Sequence, residues 1–394
     1  MNAVVPPKGW VESTLGKLAT IERTTVQPEE IQTGTRYVGL EHITSEGQFI
    51  EVPSVEAGEL ASNKFAFNDE HLLYGKLRPY LKKIARPIFS GICSTDILPI
   101  LPSPKVDRSF LYYYLRQPSY IDLATTRSTG ANLPRLSPKA LAEFSVFIPP
   151  LEEQRRIAAI LDKADAVRRK RKEAIALTEE LLRSAFLEMF GDPVTNPKGC
   201  EVKPLDEVLD VLHRYPTFYG CEYIETGVPV LKIGSIGEDY IIDRNLSSYD
   251  KVTPEFSAQF PKTVVKQNDL VMAVRGDTTG KIGLVPPELV GANISPNLIR
   301  LSPCSELCVP QYLFWVFRCG QALIEGRIND TAKKSLTAMT LREVPIPLPP
   351  KPKQDEFERI FEQAMSMRSR QQSVGEKNEQ LFNSLLQRAF RGEL

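Results

Sequence analysis

Residues 149–157 read PPLEEQRRI, and 200 positions later residues 349–357 read PPKPKQDEF. Both segments have a double proline and, five residues after its first member, a glutamine. Upstream, Leu136 matches Leu336 at the same separation. A separation that is kept over matches in the same order is the signature of an internal duplication. The sequence therefore predicts two copies of one architecture.

Two further echoes flank these segments. Residues 7–12 (PKGWVE) are echoed by residues 197–201 (PKGCE), and residues 181–186 (LLRSAF) by residues 385–390 (LLQRAF). The last pair is separated by 204 positions rather than 200. This difference predicts that the second copy carries four extra residues late in its final segment.

Each copy begins with a segment of mixed composition. Residues 1–150 and 190–350 are rich in Pro, Gly, Thr, Tyr and Phe, with short strand-like runs at 97–101 and 298–301. Short apolar runs next to turn residues are typical of strands. These segments are predicted to be two irregular α+β domains.

Each copy ends with a segment of helical composition. Residues 151–189 and 351–394 are dense in Ala, Glu, Lys, Arg, Leu and Gln, and proline just before a helix is a normal start signal. An apolar stripe follows each segment at spacings of three, four or seven residues, which indicates a partner helix. The stripes are Ile157, Ile160, Ala164, Val167, Ala174, Leu181 and Ala185, and Phe357, Ile360, Ala364, Met367, Val374, Leu381 and Leu385. The predicted fold class is α+β, with two pseudo-symmetric globular domains separated by two long helices that form an antiparallel coiled coil.

The bulk composition is that of an ordinary globular protein. The chain of 394 residues is 42% hydrophobic and 25% charged, and its 49 basic residues balance 49 acidic ones. No run of 18 apolar residues indicates a membrane span, and the first residues lack a signal-peptide pattern. We therefore expect a cytoplasmic protein. Its zero net charge neither supports nor excludes binding to nucleic acid, since the distribution of charge decides that.

The sequence contains few patterns that are typical of catalytic sites. The six cysteines and three histidines form no plausible zinc set, and Cys304 and Cys308 are expected to be structural thiols. Residues 276–282 (GDTTGKI) depart from a phosphate-binding loop in spacing and in the final residue. No motif of an amino-methyltransferase and no cofactor fingerprint occurs. The chain is predicted to carry no catalytic centre.

Basic, hydroxyl-rich loops lie at matching places in both copies. Residues 76–83 and 275–281 each follow an apolar run, and alignment of the two runs places Lys76 opposite Arg275. A second pair, at 125–132 and 329–335, precedes the matching leucines. Side chains of these types supply phosphate and base-edge contacts to DNA. The candidate DNA-binding residues are Lys76, Arg78, Lys82, Lys83, Arg127, Asn132, Arg275, Thr278, Thr279, Lys281, Lys333 and Lys334.

Individual roles can be assigned as hypotheses. Lys76, Lys82 and Lys83 are expected to contact phosphates, whereas Arg127 or Lys333 is the better candidate for reading bases. The basic run 168–172 on the first predicted helix has two interpretations. It is either a solvated helical face or a rail for DNA phosphates, and nearby acidic residues favour the former.

The residues quoted above resemble the specificity (S) subunits of type I restriction–modification systems over essentially the whole chain. The most specific parts are residues 148–157 with the downstream LLRSAF, and the linker 190–199 (FGDPVTNPKG). The second copy departs from the pattern, with KPK in place of LEE and DEF in place of RRI. These changes keep the apolar stripe, since Phe357 takes the place of Ile157, so they cast little doubt on the architecture.

The resemblance implies two target-recognition domains, each reading one half of a bipartite site in double-stranded DNA, and a coiled coil that fixes the spacing of the halves. It also implies two methyltransferase (M) subunits and restriction (R) subunits as partners. S-adenosylmethionine, ATP and magnesium would belong to those partners, so no cofactor is expected on this chain.

Three alternatives stay open. One is an S subunit of a related system that cleaves on both sides of its site. Another is a duplicated methyltransferase or nuclease with an unrecognised active site. The third is a coiled-coil scaffold that binds proteins and never touches DNA.

Overall fold

The structure, a computed structural model, describes residues 8–215, 222–328 and 334–394. None of the described helices combines the length and the apolar character of a membrane span. The chain divides into two compact units, the first made of residues up to 172 with 373–394 and the second of residues 173–372. Each unit therefore contains a globular region and a part of both long helices. This division differs from the four predicted segments, because it cuts each helix.

The first unit is built mainly from short strands. Its strands are β1 (Val11–Thr14), β2 (Ala19–Ile21), β3 (Thr25–Val26), β4 (Thr35–Val38), β5 (Ser54–Val55), β6 (Lys64–Phe67), β7 (Leu72–Gly75), β8 (Ile84–Ala85), β9 (Gly91–Cys93), β10 (Ile97–Pro102) and β11 (Ser145–Ile148). Its helices are α1 (Leu15–Leu18), α2 (Arg108–Leu115), α3 (Pro118–Thr126) and α4 (Pro138–Ala142), followed by α5 (Leu151–Phe190), which continues into the second unit.

Three sheets organise the first unit. A four-stranded antiparallel sheet has the order β2-β10-β7-β8, a five-stranded sheet has the order β3-β6-β9-β4-β5, and β1 pairs with β11. In the five-stranded sheet β4 and β9 run parallel. All four residues of β7 are buried, because this strand lies inside its sheet with both faces covered.

The described part of the second unit repeats this plan. Its strands are β12 (Glu201–Pro204), β13 (Leu209–Arg214), β14 (Val228–Leu231), β15 (Lys251–Val252), β16 (Leu270–Ala273), β17 (Ile282–Leu284), β18 (Asn293–Ile294), β19 (Leu298–Pro303) and β20 (Pro345–Leu348). Its helices are α6 (Leu205–Val208), α7 (Pro254–Ala258), α8 (Pro310–Cys319), α9 (Ala322–Glu325), α10 (Ala338–Arg342) and α11 (Lys351–Phe390).

Two sheets of the second unit match sheets of the first, whereas its third sheet has only three described strands, in the order β15-β14-β18. The order β13-β19-β16-β17 corresponds to β2-β10-β7-β8, and the pair β12-β20 corresponds to β1-β11. Local signals repeat as well. The side chain of Ser137 caps α4 by accepting a hydrogen bond from the third residue of the helix, and Thr337 caps α10 in the same way. The predicted duplication and the α+β fold class are confirmed.

One buried glutamine holds the start of each long helix. Gln154 accepts a hydrogen bond from the backbone N–H of Asp107 at 2.9 Å and donates to two backbone carbonyls, at 2.9 and 3.1 Å. Gln354 makes the same three bonds, accepting from the N–H of Val309 at 2.9 Å. Both side chains are almost completely buried, so water cannot replace these hydrogen-bond partners. These bonds fix each helix to the globular region that precedes it.

The two long helices pack in opposite directions within each unit. In the first unit Arg156 donates to the carbonyl of Leu394 at 2.6 Å, and Arg168 pairs with Glu379 at 3.2 Å. Residue numbers therefore rise along one helix as they fall along the other. In the second unit Arg368 pairs with Glu179 at 3.4 Å, while the rings of Phe186 and Phe357 lie 5.4 Å apart. The predicted antiparallel packing is confirmed in both units.

The predicted apolar stripe is only partly correct. Ile157, Phe357 and Ala364 are buried as expected. Five other members of the stripes are exposed, namely Val167, Leu181, Met367, Val374 and Leu381. Apolar residues four positions apart, such as Leu182, Phe186 and Phe190, are buried instead. Each helix packs on a globular domain as well as on its partner, so its buried face departs from the 3.5-residue repeat of an isolated coiled coil.

The prediction of four extra residues in the second helix is wrong. Helices α5 and α11 both have 40 residues. Phe382 and Leu386 occupy buried positions 200 residues after Leu182 and Phe186, so the separation stays constant to the helix ends. The echo at 204 positions reflects a similar string of residues placed one helical turn later.

Adjacent leucines of α5 provide a matched test of the buried face. Leu182 is 2% exposed and Leu181 is 59% exposed. We expect Leu182→Ala to cost about 2–5 kcal/mol of unfolding free energy, because it leaves a cavity. Leu181→Ala should change stability by no more than about 0.5 kcal/mol. Urea unfolding followed by circular dichroism measures both values, and equal losses in the two variants would refute the assigned face.

Candidate nucleic-acid interface

The two candidate loops of the first unit meet at one end of the four-stranded sheet. The backbone N–H of Arg78 donates to the carbonyl of Pro134 at 2.8 Å, and that of Leu136 donates to the carbonyl of Lys76 at 2.9 Å. The N–H of Lys76 in turn donates to Asp96, just before β10. Residues 76–83 and 129–135 therefore form one continuous surface, whereas Thr125 and Thr126 of the predicted loop 125–132 lie in α3.

The second unit brings its loops together in the same way. The N–H of Gly276 donates to the carbonyl of Lys334 at 3.0 Å, and that of Leu336 donates to Val274 at 3.0 Å. The Thr279 hydroxyl donates to the Gly276 carbonyl at 2.7 Å and closes the turn. Lys333, a predicted site residue, lies outside the described residues.

These hydrogen bonds correct the alignment of the two loops. Lys76 and Val274 each accept from the matching leucine, so Lys76 corresponds to Val274 and not to Arg275. Arg275 corresponds to Leu77, because these two residues form the equivalent isolated bridges to the facing loop. The sequence alignment was wrong by one residue, because two apolar runs of similar composition can be aligned equally well in neighbouring registers.

Lysines at the far end of the two loops do correspond. The carbonyl of Lys83 accepts from the N–H of Gly75, and that of Lys281 accepts from the N–H of Ala273, both at 2.8 Å. The ammonium group of Lys83 also donates to the carbonyl of Leu40 at 2.6 Å. Lys83 is thus held in place by its own domain and has fewer donors to offer a ligand than an unanchored lysine.

Two basic residues of the first loop have left-handed backbone conformations. Arg78 has φ of 50° and Lys82 has φ of 57°. The positions that correspond to them are Gly276 and Gly280, with φ of 87° and 92°. A left-handed conformation costs a residue with a side chain about 1–2 kcal/mol, whereas glycine adopts it freely. The first unit thus keeps Arg78 and Lys82 at positions where the turn favours glycine. Strained backbone conformations of this kind are often found at functional sites.

The remaining predicted residues lie on the surfaces of the two loop pairs. Arg127 is exposed and its guanidinium lies 5.6 Å from the centre of the Phe144 ring. The guanidinium of Arg78 donates to the carbonyl of Asn132 at 3.4 Å. Side chains that the structure describes as exposed are Arg78, Lys82, Arg127, Asn132, Arg275, Thr278 and Lys334, and those that are partly buried are Lys76, Lys83, Thr279 and Lys281.

A basic cleft in the second unit was missed by the sequence analysis. Arg214, Lys232 and Arg275 line it together with Tyr223, and its volume is about 700 Å³. Burial and the neighbouring Arg275 both lower the pKa of Arg214. The ammonium of Lys232 lies 4.2 Å from the ring centre of Tyr223. Arginine beside an aromatic residue at the end of a strand was the available signal, at residues 213–215.

The first unit has a different charge at the corresponding place. By strand register Arg23 corresponds to Arg214, while Gly39 and Leu77 stand where the second unit has Lys232 and Arg275. The two units therefore share a framework but place their cations at different points on it. This is the arrangement expected if each surface contacts a different ligand sequence.

The basic run 168–172 is occupied by ion pairs. Arg168 pairs with Asp165 at 2.7 Å and its guanidinium lies 4.8 Å from the Phe382 ring centre. Arg169 pairs with Asp165 at 3.1 Å, and Lys172 pairs with Glu46 at 2.8 Å. These ion pairs tie the run to the first unit and favour the interpretation as a solvated helical face over the phosphate rail.

Over the described residues, no three or more His, Cys, Asp and Glu side chains group as ligands for a metal ion. Cys308 is a buried free thiol, and burial raises its pKa to about 12. Such a thiol is protonated at neutral pH, as expected of a structural cysteine.

Fold and loops together define a duplicated α+β protein with one basic candidate interface in each unit. The family model of the type I restriction modification DNA specificity domain matches residues 7–177 and again residues 197–374. The chain belongs to this family.

Similar proteins carry related descriptions. The chain is 24% identical over 323 residues to the type I restriction enzyme EcoBI specificity subunit of Escherichia coli, covering 74% of this chain and 66% of that protein. It is 28% identical over 194 residues to the EcoDI specificity subunit of the same organism, covering 48% and 43%. A crystal structure of the type I restriction-modification system S subunit from M. genitalium has a TM-score of 0.63 at 14% identity, covering 99% of this chain and 97% of that one. The alignments thus span just under two thirds of the first curated relative and less than half of the second.

Proposed function

We propose that this chain is the DNA-reading specificity subunit of a type I restriction–modification complex. Each globular domain would bind one half of a bipartite target in double-stranded DNA. The observation that carries the proposal is the meeting of two separate loops at one end of the four-stranded sheet in each unit, where they present cations and amide or hydroxyl groups. Basic side chains contact DNA phosphates and position the protein, and neighbouring polar groups can then read base edges.

Partners follow from the same proposal. The subunit would recruit two methyltransferase (M) subunits and restriction (R) subunits, which would supply S-adenosylmethionine, ATP and magnesium chemistry. This chain would contribute specificity and no catalytic group. The cytoplasm is the proposed location, since that is where such a complex would meet DNA.

Assays of the purified chain with and without the M subunit can test these proposed roles. We expect the pure chain to shift a target duplex in a mobility assay and to show neither methyl transfer nor cleavage. Methyl transfer should begin only when the M subunit is added. Robust turnover by the pure chain, with contamination excluded, would contradict the proposal, as would failure to bind any duplex.

Glycine variants separate charge from folding at the first interface. We expect Arg78→Gly with Lys82→Gly to bind DNA more weakly and to lower the slope of log affinity against log salt by about 0.9 per lost phosphate contact. The melting temperature should not fall, because glycine suits both backbone conformations.

The control is Lys105→Ala. Lys105 is exposed and lies beyond the other end of β10 from the loops. Its replacement should leave the salt slope unchanged. An unaltered salt slope in the glycine variant, or an equal change in the control, would mean that Arg78 and Lys82 are surface residues that do not contact DNA.

A further inference from the structure

A cavity of about 250 Å³ lies in the second unit and is bounded by residues of β17, α8 and α11. Its walls include Leu284, Gln311, Phe314, Trp315 and Glu362. All five residues have counterparts in the first unit, where the counterparts form a filled site around a guanidinium group. The duplication thus shows what this cavity holds in the other copy.

The correspondence of Leu284 with Arg86 follows from strand register. Ala85 and Gly283 pair with equivalent residues of β7 and β16, so the next residue is Arg86 in one unit and Leu284 in the other. A cation in the first unit is therefore replaced by an apolar side chain in the second.

The other correspondences follow from the buried glutamines. Gln154 and Gln354 bond to equivalent N–H groups just before α2 and α8, and both stand at the fourth position of their long helices. The resulting pairs are Ser109 with Gln311, Tyr112 with Phe314, Tyr113 with Trp315, Arg116 with Arg318, and Asp162 with Glu362.

Arg86 fills the site in the first unit. Its guanidinium donates to the Ser109 hydroxyl at 2.6 Å and to the Asp162 carboxylate at 2.7 Å. It lies 4.4 Å from the ring centre of Tyr112, and Arg116 lies 5.1 Å from the same ring. Two guanidinium groups thus share the aromatic surface.

Only one of these two cations is present in the second unit. Arg318, the counterpart of Arg116, lies 5.1 Å from the Trp315 ring centre and pairs with Glu179. Leu284, the counterpart of Arg86, carries no charge and cannot supply the second cation. Within the described part of the chain, no basic side chain lies within 4.0 Å of the Glu362 carboxylate.

Buried polar atoms of the cavity also lack partners. Gln311 is 7% exposed and its side-chain oxygen accepts no hydrogen bond among the described residues. The indole N–H of Trp315, 2% exposed, likewise has no acceptor there. A buried polar atom without a partner costs about 1–3 kcal/mol, which a suitable ligand would recover.

Glu362 is the carboxylate of the cavity that has no ion pair among the described residues. Arg244, Arg318 and Arg368 also line the cavity, but each is already paired with a carboxylate, from Glu288, Glu179 and Asp239. Glu362 is exposed at the mouth of the cavity, and after burial its negative charge is the next cause that raises the pKa of Glu358 one helical turn away. A further positive charge would relieve this repulsion.

We propose that this cavity binds a small alkylguanidinium compound, whose planar cation takes the place that Arg86 fills in the first unit. The cation would stack on Phe314 and Trp315, donate to the Gln311 oxygen and pair with Glu362. An oxygen on the alkyl chain would accept from the Trp315 indole. None of the residues proposed to contact DNA lines the cavity, so this site is independent of the proposed DNA interface.

The test titrates the full chain with hydroxyethylguanidinium at millimolar concentration, without DNA. The chain has two tryptophans, and their indole N–H signals can be followed by nuclear magnetic resonance, with Trp315→Phe to assign them. We expect a saturable shift of the Trp315 signal and none of the Trp10 signal. The neutral analogue hydroxyethylurea should not shift either signal. No saturable shift, or equal binding of the urea, would overturn the proposal.

Variants locate the charge that binds the ligand. Glu362→Gln should weaken binding at least about tenfold, because it removes the charged acceptor. Glu356→Gln, an exposed change on the same helix outside the cavity, should leave binding unchanged. Leu284→Arg should restore the arrangement of the first unit, abolish binding and raise the melting temperature. If Leu284→Arg fails to fold, the two glutamate variants still decide, and equal binding by both would refute the site.

Discussion

Two buried amide groups hold the architecture together. Gln154 and Gln354 each make three hydrogen bonds to backbone groups that come from the loop before α2 or α8 and from the double proline. A buried group left without its partner costs about 1–3 kcal/mol, so a replacement that cannot make all three bonds is penalised. Because the same residue makes the same bonds in both units, each long helix leaves its globular domain in the same way.

That common attachment allows the rest of each unit to diverge. The first unit carries Arg78 and Lys82 at turn positions that are glycine in the second, while the second collects Arg214, Lys232 and Arg275 in a cleft. The strand order of the four-stranded sheet and of the two-stranded pair is the same in both units. A duplicated scaffold with separately placed cations suits a protein that must recognise two unrelated sequences.

The sequence was sufficient to predict the duplication, the α+β class and the antiparallel helices. Each of these depends on composition or on patterns repeated over many residues. A wrong interpretation of a few residues therefore does not change the prediction. The two candidate loops were also found in the sequence, although only the structure shows that they are hydrogen-bonded to each other.

Other features depend on contacts between distant residues. Val167 and Leu181 fit a heptad pattern but are exposed, because packing on the globular domain rotates the buried face. Lys76 was aligned one residue away from its counterpart, since strand register is set by hydrogen bonds to β10 and β19. The cleft around Arg214 joins three separate segments, so the local signal at residues 213–215 could not show that Lys232 and Arg275 lie beside it.

The most direct measurement is selection of bound duplexes from a random DNA library by the full-length protein, with its M subunit added where needed for tight binding. We expect two short, unrelated motifs separated by a spacer of fixed length and no preferred sequence. Exchange of residues 1–150 for those of another family member should then change one motif only. A single contiguous motif, a perfect palindrome or no enriched sequence would contradict the account.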